Sequence, residues 1–332
     1  MIIENDEAAV IDGERFGYIN DVIAVELAVC HDDVEGALGE YGVAVVCGVG
    51  DDRITGSGGR AGGVYFLGSP AHEVAAGFNG VCGRKIAVRA AVEVGRETMY
   101  QVATLQSLMV GNYDGFIQMD DLCQHGDIGI GTFSRANGEM IVLDGHVYQA
   151  LWDGSVKEVE ESETTPFANV TFFDRDVVAD IQPVKTLADL ASQLDSLVLL
   201  HGRNFIYALR MEVKADAVTV RSELPQEKPY RPLSETLPAK QREFTYNHID
   251  GTVVALYFPS FFSGQNATGW HFHFLSDDKS KGGHLLKLSM STPVQASFDI
   301  TSHFGLYLPE ETSFCQRDLS DNMTGEIRKV EK

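Results

Sequence analysis

Gly269–Met290 reads GWHFHFLSDDKSKGGHLLKLSM, two apolar runs separated by a stretch of turn formers. The strict alternation through WHFHF fits a β-strand, on which His271 and His273 project from one face while Phe272 and Phe274 project from the other. The intervening SDDKSKGG reads as a hairpin loop, and the second run begins at His284, so the hairpin returns a third imidazole beside the first two. Three neutral imidazoles converging on one point suit zinc or another divalent first-row metal, one ion per chain, with a position left open for chemistry. Without a metal they would be strand histidines, two of them facing the core and hydrogen-bonded.

The same texture extends outward from this hairpin. GEMIVLDGHVYQAL is a second hairpin with Asp144 and Gly145 at its turn, and TPFANVTFF is a further strand. FIYALRMEV, AVTVRSEL, FTYNHIDGTVVALYF and ASFDIT read as additional strands. Helical spacing is confined to Thr186–Leu200 and, more weakly, Tyr100–Met109. From about residue 98 to 332 the expectation is therefore an α+β domain, β-rich, with mixed and antiparallel sheets. Residues 1–97 differ: they are Gly-rich, with short Val/Ala/Ile runs such as GVAVVCGVG and KIAVRAAVEV, and read as a separate small α/β or α+β unit. GSGGRAGGVYFLG, within that unit, lacks the GxxxxGK[ST] lysine, and its glycines precede an apolar strand, so a loop or tight hairpin is expected there instead of a phosphate cradle.

Composition narrows the partners. A formal net charge of -22 and the lack of any Lys/Arg cluster exclude a nucleic-acid partner, because phosphate neutralisation needs a basic stripe. No run approaches the apolar length of a transmembrane helix and the N-terminus has no secretory pattern, so the expectation is a cytoplasmic chain with no membrane partner. The five cysteines (Cys30, Cys47, Cys82, Cys123, Cys315) are scattered without CxxC spacing and read as reduced thiols. An acidic exterior repels small anions, so an anionic substrate would need a specific arginine to receive it. A homodimer is carried as an expectation.

The segments YQVATLQSLMVGNYDG, HGDIGIGTF, GEMIVLDGHVYQ, TPFANVTFF, QEKPYRPL and GWHFHFLSDDKSKGGH, in that order, closely resemble the α-acetolactate decarboxylase family from Tyr100 to Glu331. The resemblance implies that His271, His273 and His284 bind zinc and that Glu139 supplies a carboxylate at the metal. It further implies that Thr132 lines the substrate pocket, that Arg221 is the essential arginine, and that a second carboxylate comes from the C-terminal tail at Glu331, with Glu326 as the fallback. Glu139 also has a local reading, since a carboxylate beginning the apolar strand EMIVLD needs a partner unless it is exposed. Arg221 has one too, as a surface residue paired with a strand neighbour such as Glu223. Where the family commonly carries an arginine just after the proline of this segment, the chain has Gln226. The implied activity is that of a carboxy-lyase, decarboxylating 2-acetolactate to (R)-acetoin. Two alternatives stand beside it: a cupin-like non-haem iron oxygenase using the HxH/His set, and a ligand-binding or regulatory module in residues 1–97 attached to a decarboxylase-like domain.

Overall fold

The computed structural model describes residues 96–321 and 323–330, together with the backbone of five short strands before them. The chain divides into two units, Met1–Val94 and Gly95–Lys332. In the first, β1 (Val10–Ile11) pairs with β2 (Glu14–Arg15), and β3 (Ile23–Glu26) and β4 (Val74–Ala76) flank β5 (Ile86–Val92), all antiparallel. The Gly-rich loop or tight hairpin expected at 56–68 lies outside the described residues.

The second unit runs β6 (Thr98–Val102), α1 (Leu105–Met109), β7 (Ile117–Gln118), α2 (Met119–Cys123), β8 (Ile128–Thr132), β9 (Glu139–Leu143), β10 (His146–Ala150) and β11 (Val156–Glu158). It continues with β12 (Thr164–Thr165), β13 (Phe167–Thr171), β14 (Val177–Ile181), α3 (Leu187–His201), β15 (Ile206–Glu223), α4 (Leu233–Lys240) and β16 (Gln241–Phe258). It ends with β17 (Gly269–Ser276), β18 (Gly282–Ser289), β19 (Val294–Thr301), β20 (His303–Tyr307), α5 (Thr312–Cys315) and α6 (Thr324–Val330). Seven strands form one sheet in the order β11-β10-β9-β8-β13-β6-β20, in which β20 lies parallel to β6 and the rest pair antiparallel. Six form the other, β14-β19-β15-β16-β17-β18, and β18 also returns to the C-terminal half of β15, so that β15, β16, β17 and β18 close into a ring. This is the β-rich, mixed and antiparallel architecture expected from the sequence.

Apolar alternation explains how the sheets stack. Ile128, Ile130, Ile141 and Leu143 of the first sheet pack against Ala208, Val254, Leu256 and Leu275 of the second. The opposite face of the second sheet carries Leu209, Met211, Phe272, Phe274 and Phe298, which α3 covers with Leu190, Leu194 and Val198 at helical four-residue spacing. That helix starts where expected because Thr186 and Asp189 form a reciprocal capping box, Asp189 N–H to Thr186 Oγ1 at 3.1 Å and Thr186 N–H to Asp189 Oδ2 at 3.0 Å. Asp144 and Gly145 turn the β9–β10 hairpin with φ of 55° and 78°, the left-handed pair that a tight two-residue turn requires.

Three expectations change. Tyr100–Met109 is not one helix: Tyr100 sits in β6 between β13 and β20, Ala103 breaks the strand at φ 54°, and only Leu105–Met109 is helical, capped by Thr104. FIYALRMEV and AVTVRSEL are one continuous strand of 18 residues, β15, because β16 pairs with it from Tyr207 to Glu223. Phe261 and Phe262, adjacent aromatics that the sequence suggests are both core beside the site, divide: Phe261 is 64% exposed, while Phe262 is buried against Phe258 and Phe304. Among the described residues no helix is long and apolar enough to cross a membrane.

Candidate metal centre and cleft

Register, more than proximity in sequence, builds the site. On β17, His273 lies opposite His284 of β18, and His284 lies opposite Arg221 of β15, so three strands place their side chains in one row. His271 follows one step along β17 on the same face, opposite Leu256, whereas Phe272 and Phe274 turn to the other core. The face that carries the imidazoles looks toward the seven-stranded sheet. There Glu139 begins β9, across from Thr132 of β8.

The ring nitrogens converge. His271 Nε2 lies 2.9 Å from His284 Nδ1 and 3.2 Å from His273 Nε2. Two nitrogens bound tetrahedrally to one zinc ion at about 2.0–2.1 Å would stand about 3.3 Å apart, so this spacing fits a shared ion. His273 Nδ1–H donates to the Met140 carbonyl at 2.8 Å, which fixes the tautomer and leaves the Nε2 lone pair toward the other two rings. Burial holds all three imidazoles neutral: His271 is lowered to about 3, and His273 and His284 fall well below the usual histidine range, with the Arg221 cation adding to the effect on each. Neutral, converging nitrogens are what a divalent metal requires, so the residues fit the group.

Around the triad lie the charged groups. Glu139 is buried, with Oε2 at 3.5 Å from His273 Nε2 and Oε1 at 4.0 Å from Arg221 Nε. Arg221 is also buried, its Nε at 3.5 Å from Glu223 Oε1 and without a hydrogen-bond partner. Thr132 donates its hydroxyl hydrogen to the Gly138 carbonyl at 2.7 Å, so only the lone pairs of its oxygen remain for a ligand. Thr132, Glu139, Arg221, Glu223, His271 and His284 line one cleft whose remaining wall is apolar: Leu105 and Leu108 of α1, Ala136, Phe167, Leu233 and Leu237 of α4, and Val330 of α6. Glu331 follows Val330 in the chain but lies outside the described residues. Glu326 is exposed on α6.

Two backbone features hold this arrangement. The turn from Ser134 to Gly138 that delivers Glu139 passes through positive φ at Arg135 (68°) and Ala136 (48°). It is clipped to the segment after β15 by Gln226 N–H to Arg135 O at 2.7 Å and Arg135 Nε–H to Gln226 O at 3.0 Å. Gln226 is thus a buried clip between the two catalytic-side segments. On β18, Gly283 adopts φ 141°, and a Cβ there would run into the Arg221 carbonyl oxygen. The β15–β18 register shifts between Thr219 and Val220, leaving an extra residue on β18 beside the site, as a bulge does. Gly283→Ala is therefore expected to push β18 off β15, destabilising the protein by roughly 1–3 kcal/mol and lowering metal occupancy. Thermal unfolding and metal analysis of the variant check this, and an unchanged Tm would show that the close approach is not required.

Glu223 is the cleft residue that the sequence reading placed only as a pairing partner for a surface arginine; its i+2 spacing from Arg221 on a strand was the available signal. Asp278, one of the two acidic residues that follow the HxH pair where an iron oxygenase has a glutamate, does not join the metal centre. It accepts from Ser276 Oγ at 2.6 Å and from Ser280 N–H at 3.0 Å within the hairpin turn. His125 follows α2 and stacks on Tyr100, with ring centroids 3.8 Å apart.

Residues 99–321 match the family described as alpha-acetolactate decarboxylase. The chain is 38% identical over 236 residues to an alpha-acetolactate decarboxylase of Methanosarcina mazei, covering 71% of this chain and 81% of that protein. To the alpha-acetolactate decarboxylase of Methylococcus capsulatus it is 37% identical over 233 residues, or 70% of this chain and 88% of the relative. The crystal structure of alpha-acetolactate decarboxylase from Bacillus subtilis superposes with a TM-score of 0.67 at 31% identity, covering 70% of this chain and 99% of that one.

Proposed function

The chain belongs to the alpha-acetolactate decarboxylase family and is a carboxy-lyase, and from the geometry of its cleft we propose that it converts 2-acetolactate to (R)-acetoin and carbon dioxide with zinc held by His271, His273 and His284. The observation that carries this reading is the convergence of three neutral imidazoles, two of which line a single apolar-walled cleft with one buried guanidinium and two carboxylates.

The chemistry assigns each residue a task. As the C1–C2 bond breaks, carbon dioxide leaves and its electron pair moves into a C2–C3 enediolate, with negative charge on the C3 oxygen. The bound metal supplies Lewis-acid stabilisation of that oxygen charge. Arg221 receives the substrate carboxylate and orients the breaking bond, its Nε carrying no competing hydrogen bond. Formal charge favours this: two carboxylates against one guanidinium line the cleft, and a divalent cation on the imidazoles turns that balance positive, ready for an anion. Leu105, Leu108, Leu233 and Leu237 exclude water, which strengthens these interactions. Glu139, beside His273 and Arg221, is placed to return a proton to C2. Glu331 is the other proton donor we consider. Delivery to one face yields one enantiomer. The acidic composition and, among the described residues, the free thiols of Cys123 and Cys315 fit a cytoplasmic setting.

The test pairs metal analysis of the purified protein with acetoin measurement on a chiral column. One equivalent of zinc per chain and (R)-acetoin are expected; turnover by fully metal-free protein would overturn the metal assignment, and a racemic product the proton delivery.

Every residue assigned to zinc, substrate anchoring or proton transfer lies at or after Thr132, so we assign catalysis to residues 98–332 and no zinc ligand or catalytic base to 1–97. A chain beginning at Arg96 is expected to bind zinc and decarboxylate acetolactate. If that shortened protein folds and holds metal but is inactive, the first 97 residues reach into the site.

A further inference from the structure

At the opposite end of β15 from Arg221, the partner strand β19 carries Asp299 across from Ala208. Asp299 is 1% exposed, and its Oδ2 has no hydrogen-bond partner; its Oδ1 accepts a long 3.3 Å bond from Thr301 Oγ1, and the backbone N–H of Asp174 lies close enough to favour its charged form. A buried carboxylate oxygen with no donor is costly and needs a cation or a proton. Two further carboxylates stand beside it, Asp176 ahead of β14 and Glu97 ahead of β6, and one oxygen from each of the three lies within 4.8 Å of the others. Among the described residues no ion pair neutralises any of the three, because Arg96, next to Glu97, is committed to Asp174 at 3.2 Å.

The backbone around these oxygens is fixed by hydrogen bonds. Asp176 N–H donates to Phe298 O at 3.0 Å and its Oδ2 accepts from Ile300 N–H at 2.8 Å, which pins Asp176 across β19. His303 N–H donates to Glu97 O at 3.0 Å, which pins Glu97 to the start of β20. The three carboxylates therefore come from the six-stranded sheet, the segment leading into its edge strand β14, and the start of β6 beside the edge strand β20 of the seven-stranded sheet.

We propose that Glu97, Asp176 and Asp299 form a second metal site, an all-oxygen one for Ca2+, distinct from the imidazole centre. Three hard carboxylates with no nitrogen or sulfur donor select against zinc. Ca2+ accepts six to eight oxygens in irregular geometry, whereas Mg2+ demands a near-ideal octahedron. Asp176 and Glu97 are exposed, leaving room for water to complete a sphere of six to eight oxygens. The ion neutralises Asp299 and ties the two sheets together, so its effect is on stability and not on turnover. Glu97 precedes residue 99, where the family match begins, so the site depends on a residue outside the matched segment.

The test uses the full-length, zinc-loaded protein freed of calcium on a chelating resin, with zinc content verified afterwards. Equilibrium dialysis with radioactive calcium is expected to show one saturable ion per chain, and thermal scans a Tm that climbs with Ca2+ until the site fills. Asp299→Asn keeps the shape and the Thr301 bond but removes the charge; it is expected to lose the bound ion and the Ca2+-dependent Tm rise while keeping zinc and kcat. Asp176→Asn, at an exposed position, is expected to weaken calcium binding at least tenfold and serves if Asp299→Asn fails to fold. Absence of saturable calcium on the wild type at millimolar concentration overturns the proposal, as does equal binding by wild type and the folded variants, which would leave Asp299 as a carboxyl kept neutral by a proton.

Discussion

His273→Ala is expected to empty the metal centre and to lower kcat by at least about a hundredfold, since even outer-shell partners of metal ligands commonly contribute 10–100-fold. His273 is the innermost of the three imidazoles, with 0% exposure, and its second nitrogen is anchored to backbone at the Met140 carbonyl. Removing the ring deletes one of three converging nitrogens and takes one donor away from the Met140 carbonyl in a buried seam. His271→Ala, at a half-buried position, should cost less stability but a similar share of metal. Elemental analysis and acetoin assays on folded variants, with circular dichroism to confirm folding, read both effects. Chelation should silence the wild type and added zinc restore it. Full metal occupancy with wild-type turnover in the His273 variant would dismiss the triad as a metal centre.

What could be read in the sequence was whatever is local to a strand. Alternation in WHFHF separates the imidazoles from the phenylalanines, and the Gly-Gly-His return places His284 opposite His273, a register that a hairpin of that length dictates. The capping box at Thr186 and the Asp144-Gly145 turn are likewise short-range signals. The closing of β18 onto β15, by contrast, joins segments separated by more than 60 residues through a bulge, and no local pattern announces it. The apolar wall of the cleft comes from α1, α4 and α6, three short helices whose leucines and valine look like ordinary core until the tertiary fold turns them toward Arg221. Asp299 escaped notice for a related reason: in ASFDIT it occupies a position where alternation predicts a solvent-facing residue, and only the stacking of the second sheet buries it.

Arg221→Lys should lose about tenfold to a hundredfold in kcat/KM with zinc retained, the range that follows from losing one charge-assisted bidentate contact of about 1.5–3 kcal/mol. Arg221 is 6% exposed and sits opposite His284, with Glu223 and Glu139 at 3.5 and 4.0 Å from its Nε. Lysine supplies a point charge that can balance those carboxylates, so the fold and the metal should survive, but it has no planar fork to hold a carboxylate by two bonds. Arg221→Ala should be worse in two separable ways. It removes the anchor, lowering kcat/KM beyond the lysine variant, and it leaves Glu139 and Glu223 in a buried cleft without their cation, lowering the Tm of the metal-free protein more than that of the zinc form, where the ion takes over the neutralising role. Steady-state kinetics with 2-acetolactate and thermal scans with and without zinc separate the two. An alanine variant that matches wild-type kcat/KM would remove Arg221 from substrate binding, and the cleft would then have to orient the carboxylate through the metal alone.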